Sequence, residues 1–237
     1  MKRSEVNAVM READAFIRSF GYVLPPFAYW TPQEMKARRQ SAAGIFEARL
    51  GWDVTDYGQQ RFDRLGLFLF TVRNGRPADM NKGAGMLYAE KIMISRRDQL
   101  SPMHRHVLKT EDIVNRGGGR LVLELFMSDA EGGIDPKAEV RVPTDGSMRR
   151  LAAGGLLTLD PGESVTLYPG VWHAFRAEGA DVLIAYLNEH EDAEETARLV
   201  RGTGRTAVTV PGDIADEAHC RAIVERAVDE LGRLDIL

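Results

Sequence analysis

Cysteine is almost absent. Cys220 is the single one among 237 residues, so no disulfide can form within the chain, and a reducing compartment is expected. No apolar run approaches the roughly 20 residues that span a bilayer, and the N-terminal MKRSEVNAVMREADAF lacks the apolar centre of a secretory signal. A cytoplasmic protein with no membrane contact is therefore expected. An excess of positive charge is missing too: 31 Lys and Arg against 35 Asp and Glu leave a net charge of −4. The basic residues are dispersed rather than striped, which argues against nucleic acid as a partner. No internal repeat or low-complexity tract is present. Hydrophobic content of 44% is that of an ordinary globular chain with a normal core. Histidine is also scarce, five in all, and that scarcity makes its placement informative.

Residues 4–20 read as a helix capped by Ser4, with Val6, Val9, Met10, Ala13, Phe16, Ile17 and Phe20 at helical spacing and Gly21 as the stop. VLPPFAYW is extended because of its paired prolines. Thr31-Pro32-Gln33-Glu34 forms a capping box that opens a short helix to about Ser41. Strand patterns follow: GLFLFTVRNG, ending in the tight-turn dipeptide Asn74-Gly75, then YAEKIMIS, RLVLELFM, AEVRVP, GLLTLD, SVTLYP and DVLIAYL. Gly117-Gly118-Gly119 breaks the run. Many short strands separated by turn signals predict an antiparallel sandwich or barrel. After about residue 190 the texture changes to helix, strand, helix, which belongs to a parallel α/β layer.

Three of the five histidines fall in two short patterns. His104 and His106 lie in MHRHVLKTED with Glu111 five residues on, and His173 lies in YPGVWH. On a strand, a His-x-His pair projects both rings from one face. A carboxylate after a bend and a third imidazole from a distant strand can close a cage around them. Such a donor set suits a divalent first-row metal: Mn, Fe, Co, Ni or Zn. It leaves coordination positions open for chemistry. A lone histidine is more often a satisfied core or surface residue, but four residues in order and spacing are not explained that way. His190 and His219 fit no ligand pattern and are expected at the surface.

His-x-His-x4-Glu-x5-Gly followed by Pro-Gly-x2-His resembles the two cupin motifs, with Pro169 and Gly170 adjacent instead of spaced, and Ala177 where an Asn is usual. LPPFAYW, GWDVTDYG, LFTVRNG, YAEKIM, SPMHRHVLKTEDIVNRGGGRLVLEL and LYPGVWHAF together resemble the D-lyxose ketol-isomerase family over about residues 1–175. The resemblance implies a mainly β fold, a cupin jelly-roll barrel with N-terminal helices outside it. It implies manganese held by His104, His106, Glu111 and His173, and interconversion of D-lyxose and D-xylulose, often with D-mannose and D-fructose. A homodimer is the default by analogy. Lys91 takes the family's pocket-lysine position, and Lys109 lies between the second His and Glu111; a lysine near a metal can stabilise an enediolate or carry a proton. Trp52, Phe70, Phe126 and Trp172 are candidates to wall a sugar pocket.

The C-terminal part, from RAEGADVLIAYL onward, resembles an internal fragment of a short-chain dehydrogenase/reductase. ADVLIAYL matches its second strand, EDAEETARLV the next helix, TAVTVPGDI the third strand with Asp213 in the adenine-contacting place, and LGRLDIL the start of a fourth. The fragment lacks both the glycine-rich phosphate loop and the Tyr-x3-Lys pair, so no nicotinamide cofactor is expected. Two units are expected: a cupin sugar-isomerase-like domain over 1–187 and an α/β appendage over 188–237. DVLIAYL is expected to finish the cupin sheet. The apolar stripes Ala197, Leu199 and Val200, and Cys220, Ile223, Val224 and Val228, are expected to be left without a sheet to cover and loosely docked. The appendage replaces the family's acidic C-terminus. Impaired turnover, a non-catalytic metal- or sugar-binding cupin, and another cupin enzyme such as an epimerase or dioxygenase all remain open.

Overall fold

The apolar stripe of the first twenty residues forms helix α1 (Arg3–Ser19) and buries Val9, Ala13 and Ile17. Ser4 lies inside α1 rather than capping it. The capping position is Lys2, whose backbone N–H donates to the Glu5 carboxylate at 2.6 Å; an acid in the first turn satisfies that end without a hydroxyl. Gly21, at φ 73°, closes the helix. The structure, a computed structural model, describes residues 1–76, 79, 88–178, 182–202, 205–232 and 234. A short 3-10 turn (Pro26–Tyr29) leads to α2 (Pro32–Ala37). There Thr31 Oγ1 accepts from the Glu34 N–H, and the Glu34 carboxylate accepts from the Thr31 N–H. Helix α3 (Ala43–Glu47) follows.

Strands β1 (Gly51–Thr55), β2 (Leu67–Asn74) and β3 (Ala89–Ile94) form an antiparallel sheet in that order. One face of this sheet carries Phe68, Phe70, Val72 and Ile94 into a cluster with the buried side of α1. Leu67 and Met93, on the alternate face, pack against the central core. Asn74-Gly75 is not a two-residue hairpin. Asn74 pairs with Ala89 and the Gly75 N–H donates to the Tyr88 carbonyl, so the connection runs over residues 75–88, most of which lie outside the described set.

The second half of the barrel contains β4 (Leu100–Arg105), β5 (Glu111–Val114), β6 (Arg120–Ser128), β7 (Ile134–Asp135), β8 (Val140–Thr144), β9 (Ser147–Leu151), β10 (Gly155–Leu159), β11 (Ser164–Leu167) and β12 (Trp172–Glu178). An antiparallel sheet runs β10-β6-β12-β4, with β7 beside β6, and β11-β5 and β8-β9 are further pairs. Alternate residues of these strands turn inward to one core, with Leu123, Leu125, Val140, Val142 and Leu159 almost fully buried. The fold is mainly β, with curled sheets in a cupin-like arrangement and an N-terminal helix packed outside. Helix α1 meets the barrel at the glycine run. Gly117 and Gly118 have φ of 140° and 88°, and a Cβ on Gly117 would strike the Phe20 ring. A Cβ on Gly118 would lie 2.7 Å from Phe16.

The C-terminal unit contains β13 (Val182–Tyr186), α4 (His190–Gly202), β14 (Ala207–Pro211) and α5 (Glu217–Leu231). β13 and β14 pair in parallel, from Val182 opposite Ala207 to Tyr186 opposite Pro211. Two expectations are corrected here. DVLIAYL does not finish the cupin sheet: among the described residues its hydrogen-bonded neighbour is β14. The helices also do not lack a sheet, because the β13–β14 pair supplies one. Ala193 and Ala197 of α4 and Ile223 and Ala227 of α5 are buried, and Val208, Val210 and Ile223 form a cluster of their own with Leu183 and Leu231 against it. Cys220, Val200 and Val224 are half-buried, and Val228 remains 46% exposed. The Leu199 side chain and residues 235–237 of LDIL lie outside the described set.

Gly118→Ala is expected to destabilise the protein by about 1–3 kcal/mol, from left-handed backbone strain and overpacking against Phe16. Urea denaturation of the purified variant measures it.

Candidate metal centre

β4 and β12 run antiparallel with His104 directly opposite His173, so both rings project from the same, inner face of the sheet. The register between these strands is irregular. Ser101 to His104 on β4 faces Phe175 to His173 on β12, one residue more on β4 than on its partner. This is a β-bulge, and it lets both Ser101 and His104 face inward although their separation is odd. His106 follows at the end of β4. Ring centroids are 4.2 Å apart for His104 and His173, 5.3 Å for His104 and His106, and 5.5 Å for His106 and His173. One nitrogen from each of the three lies within 4.8 Å of the others.

Glu111 opens β5 opposite Leu167 of β11. One carboxylate oxygen, Oε2, is 2.9 Å from His106 Nε2 and 3.6 Å from His173 Nε2. The other, Oε1, accepts from Lys109 Nζ at 3.0 Å. The Pro169-Gly170 turn brings the chain from β11 into β12. Gly170, at φ 90°, donates its N–H to the His106 carbonyl at 2.9 Å, and its own carbonyl accepts from Ser128 Oγ at 2.6 Å. The two histidine motifs are thereby tied backbone to backbone. Ser128 is a positioning contact with no sequence signal beyond a serine at a strand end.

Tautomers follow from the partners. His104 Nδ1 is 2.8 Å from the Pro102 carbonyl and His173 Nδ1 is 3.2 Å from the Val171 carbonyl. A carbonyl only accepts, so each Nδ1 carries the hydrogen and each Nε2 keeps its lone pair. His173 is fully buried, and its Nε2 has no hydrogen-bond partner. A buried acceptor without a partner is costly, and a cation is a partner that satisfies it. Burial holds His104 and His106 below the ordinary imidazole value, for His106 in spite of the attraction of Glu111. Burial pushes the Glu111 carboxyl up, but the neighbouring His173 ring, the hydrogen bond from Lys109 and the Lys109 charge outweigh it and hold Glu111 well below the usual carboxylate range. Neutral imidazoles beside one carboxylate match the donor chemistry of a divalent transition metal.

Lys91 is exposed on β3 opposite Thr71, and among the described residues no hydrogen bond or ion pair joins it to the histidines. The four aromatics do not wall the site. Trp172 and Phe126 pair with each other and, by strand alternation, face away from the neighbouring His173 and Leu125. Trp52 and Phe70 pack edge-to-face at 5.1 Å in the cluster under α1. His190 is exposed and bonds the Tyr186 hydroxyl at 2.8 Å. His219 is half-buried over Gly212 rather than at the open surface.

Residues 1–219 match the family model described as D-lyxose isomerase. The D-lyxose/D-mannose isomerase of Serratia proteamaculans is 41% identical over 208 residues, covering 86% of this chain and 90% of that protein. That of Escherichia coli O157:H7 is 41% identical over 209 residues, with the same shares. A separate match falls on 27% of this chain: the uncharacterized oxidoreductase YhdF of Bacillus subtilis (strain 168), 48% identical over 64 residues that are 22% of that protein.

The depressed imidazoles fix the sign of a pH effect. Because the folded chain binds protons at His104 and His106 less readily than the unfolded chain does, their stabilisation is present above the unfolded value of 6.5 and is lost as pH falls through the window below it. Urea unfolding of the metal-free protein between about pH 8 and pH 5 should show falling stability. The His104→Gln, His106→Gln double variant should show a flatter profile.

Proposed function

The chain belongs to the D-lyxose isomerase family, and on that premise we propose that it is a metal-dependent aldose–ketose isomerase that interconverts D-lyxose and D-xylulose, with D-mannose and D-fructose as a second pair. The observation that carries the metal is the buried, unpartnered His173 Nε2, set beside two further imidazoles and a carboxylate held in its charged form. His104, His106, His173 and Glu111 are the proposed ligands. Held by these residues, a divalent ion, proposed as Mn2+, would supply the positive charge that an isomerisation passing through an anionic cis-enediolate requires.

The protein's own part in this reading is to hold the ligands and move a proton between C1 and C2. Glu111 is a poor base for that, because its carboxyl is held low and both of its oxygens are engaged. Lys109, half-exposed at the rim and bonded to Glu111, is placed to donate to an oxygen that gains negative charge. Lys91 is assigned proton transfer by its position in YAEKIM. It sits on the same sheet face as Met93, which packs toward the barrel core. The cupin domain is proposed as 1–187 and the appendage as 188–237, with the enzyme a cytoplasmic homodimer that uses no nicotinamide cofactor. No helix among the described residues is long and apolar enough to cross a membrane.

A second reading, a metal- or sugar-binding protein without turnover, is favoured by one observation: both oxygens of Glu111, the carboxylate at the histidine cluster, are already engaged, by His106 and by Lys109. A colorimetric ketose assay on D-lyxose, with and without Mn2+ and EDTA, separates the two. The isomerase forms ketose that EDTA abolishes, and His106→Ala lowers kcat/KM by about 100-fold or more. A pure binder forms none and instead shows a Tm that climbs with sugar concentration. Lys109→Met is expected to lower kcat about 10- to 100-fold with a smaller change in KM; steady-state kinetics on the Mn2+-loaded variant measures it.

A further inference from the structure

The residues between and beside the ligands form a structure of their own on the other side of the sheet. Arg105 separates His104 from His106, and Trp172 precedes His173. The two face each other across β4 and β12, one step from the His104–His173 pair. Strand alternation places them on the outer face. There the Arg105 guanidinium lies 5.5 Å from the centroid of the Trp172 ring. The loop after β6 closes over both. Trp172 Nε1 donates to the Gly133 carbonyl at 3.2 Å, and a Cβ on Gly132 (φ 85°) would lie 2.5 Å from Arg105 Nη2. That loop is itself tied, since the Asp129 N–H donates to the Gly133 carbonyl and the Gly133 N–H to Asp129 Oδ1.

We propose that the Arg105–Trp172 pair, with the Gly132-Gly133 loop, is a positioning clamp that fixes the metal geometry of His104, His106 and His173 from behind the sheet. The reason lies in the bulge. β4 ends at Arg105 and β12 begins at Trp172, so this pair is the last rung of the ladder, and the irregularity lies just beyond the His104–His173 rung. An extra residue in one strand can migrate by one position. If it did so here, His104 would swing to the outer face, because a one-residue slip inverts every side chain. A stacked cation and ring on the final rung, held by a loop from the adjacent strand, oppose that slip. Both residues act through the ligands and touch no substrate. The inference rests on the metal-site assignment proposed above.

Manganese affinity of the purified full-length chain, by calorimetry and electron paramagnetic resonance, tests it, together with the visible absorption of the cobalt-loaded protein. Trp172→Ala is expected to weaken Mn2+ binding about tenfold or more and to alter the cobalt bands. Trp172→Phe, which keeps a ring under Arg105, is expected to restore most of both. Arg105→Ala sets two effects against each other. Loss of a cation near the site favours metal binding, and loss of the clamp opposes it; the guanidinium is on the far face of the sheet and screened, so weaker binding is expected. Tighter binding by Arg105→Ala overturns the proposal. So does a Trp172→Ala protein with a lowered Tm but wild-type affinity and cobalt spectrum, or failure of Trp172→Phe to rescue. If Trp172→Ala does not fold, Arg105→Ala decides alone. Wild-type protein that binds no Mn2+ is a distinct failure: it removes the metal-site assignment itself, and the clamp with it.

Discussion

A strand gives each side chain only two directions, and the candidate metal centre depends on one residue inserted into β4. Without the bulge between Ser101 and His104, the ladder with β12 would keep strict alternation, and the inward direction of Ser101 could not coexist with the inward direction of His104. The extra residue also brings the Pro102 carbonyl to His104 Nδ1, which selects the tautomer that leaves Nε2 free. Backbone irregularity, ring orientation and protonation are thus one arrangement rather than three. The Gly170 N–H to the His106 carbonyl adds the second tie, joining the two histidine motifs across residues far apart in the chain.

Around that arrangement the protein keeps separate apolar clusters. The central one fills the barrel below the histidines, and a second lies between α1 and the outer side of the β1–β2–β3 sheet. β2 belongs to both, with Phe68 and Phe70 turned to the helix and Leu67 to the barrel. Helix α1 is therefore not an ornament on the cupin-like body. It covers a face that would otherwise expose several large aromatics to water, and its own Phe16 and Phe20 lean on glycines 117 and 118, which lead into β6. A glycine run that looks like a mere break in the strand pattern is where helix and barrel touch.

The clustering of His104, His106, His173 and Glu111 is legible because it is written in residue types that are rare here and in spacings that a strand and a bend translate directly into geometry. α1 and α2 were legible for a similar reason, since helical periodicity and the Thr31–Glu34 box are local. What failed depends on information that is not local. Alternation says nothing of which face Trp172 and Phe126 share across two strands, which the β6–β12 pairing decides; along β12 alone it does set Trp172 opposite His173, because adjacent strand residues cannot both point inward. Asn74-Gly75 has the composition of a tight turn, yet the pairing of Asn74 with Ala89 sets a longer connection. Ser4 was displaced as a cap by Glu5, which reaches back to the Lys2 backbone. For the C-terminal residues the strand within DVLIAYL is legible in the sequence, but its partner is not. Its apolar composition suits either sheet, and the choice fell to the parallel strand that follows α4.

That choice has a kinetic side. Val208, Val210 and Ile223 are buried among themselves rather than in the barrel core, so the C-terminal βαβα unit has a small free-energy store of its own and is a candidate for opening as a separate cooperative block. Its transient excursions would expose its own helices and strands long before the barrel loosens. The lifetime of the intact chain among proteases would then be set first by this C-terminal cluster rather than by the histidine-bearing strands.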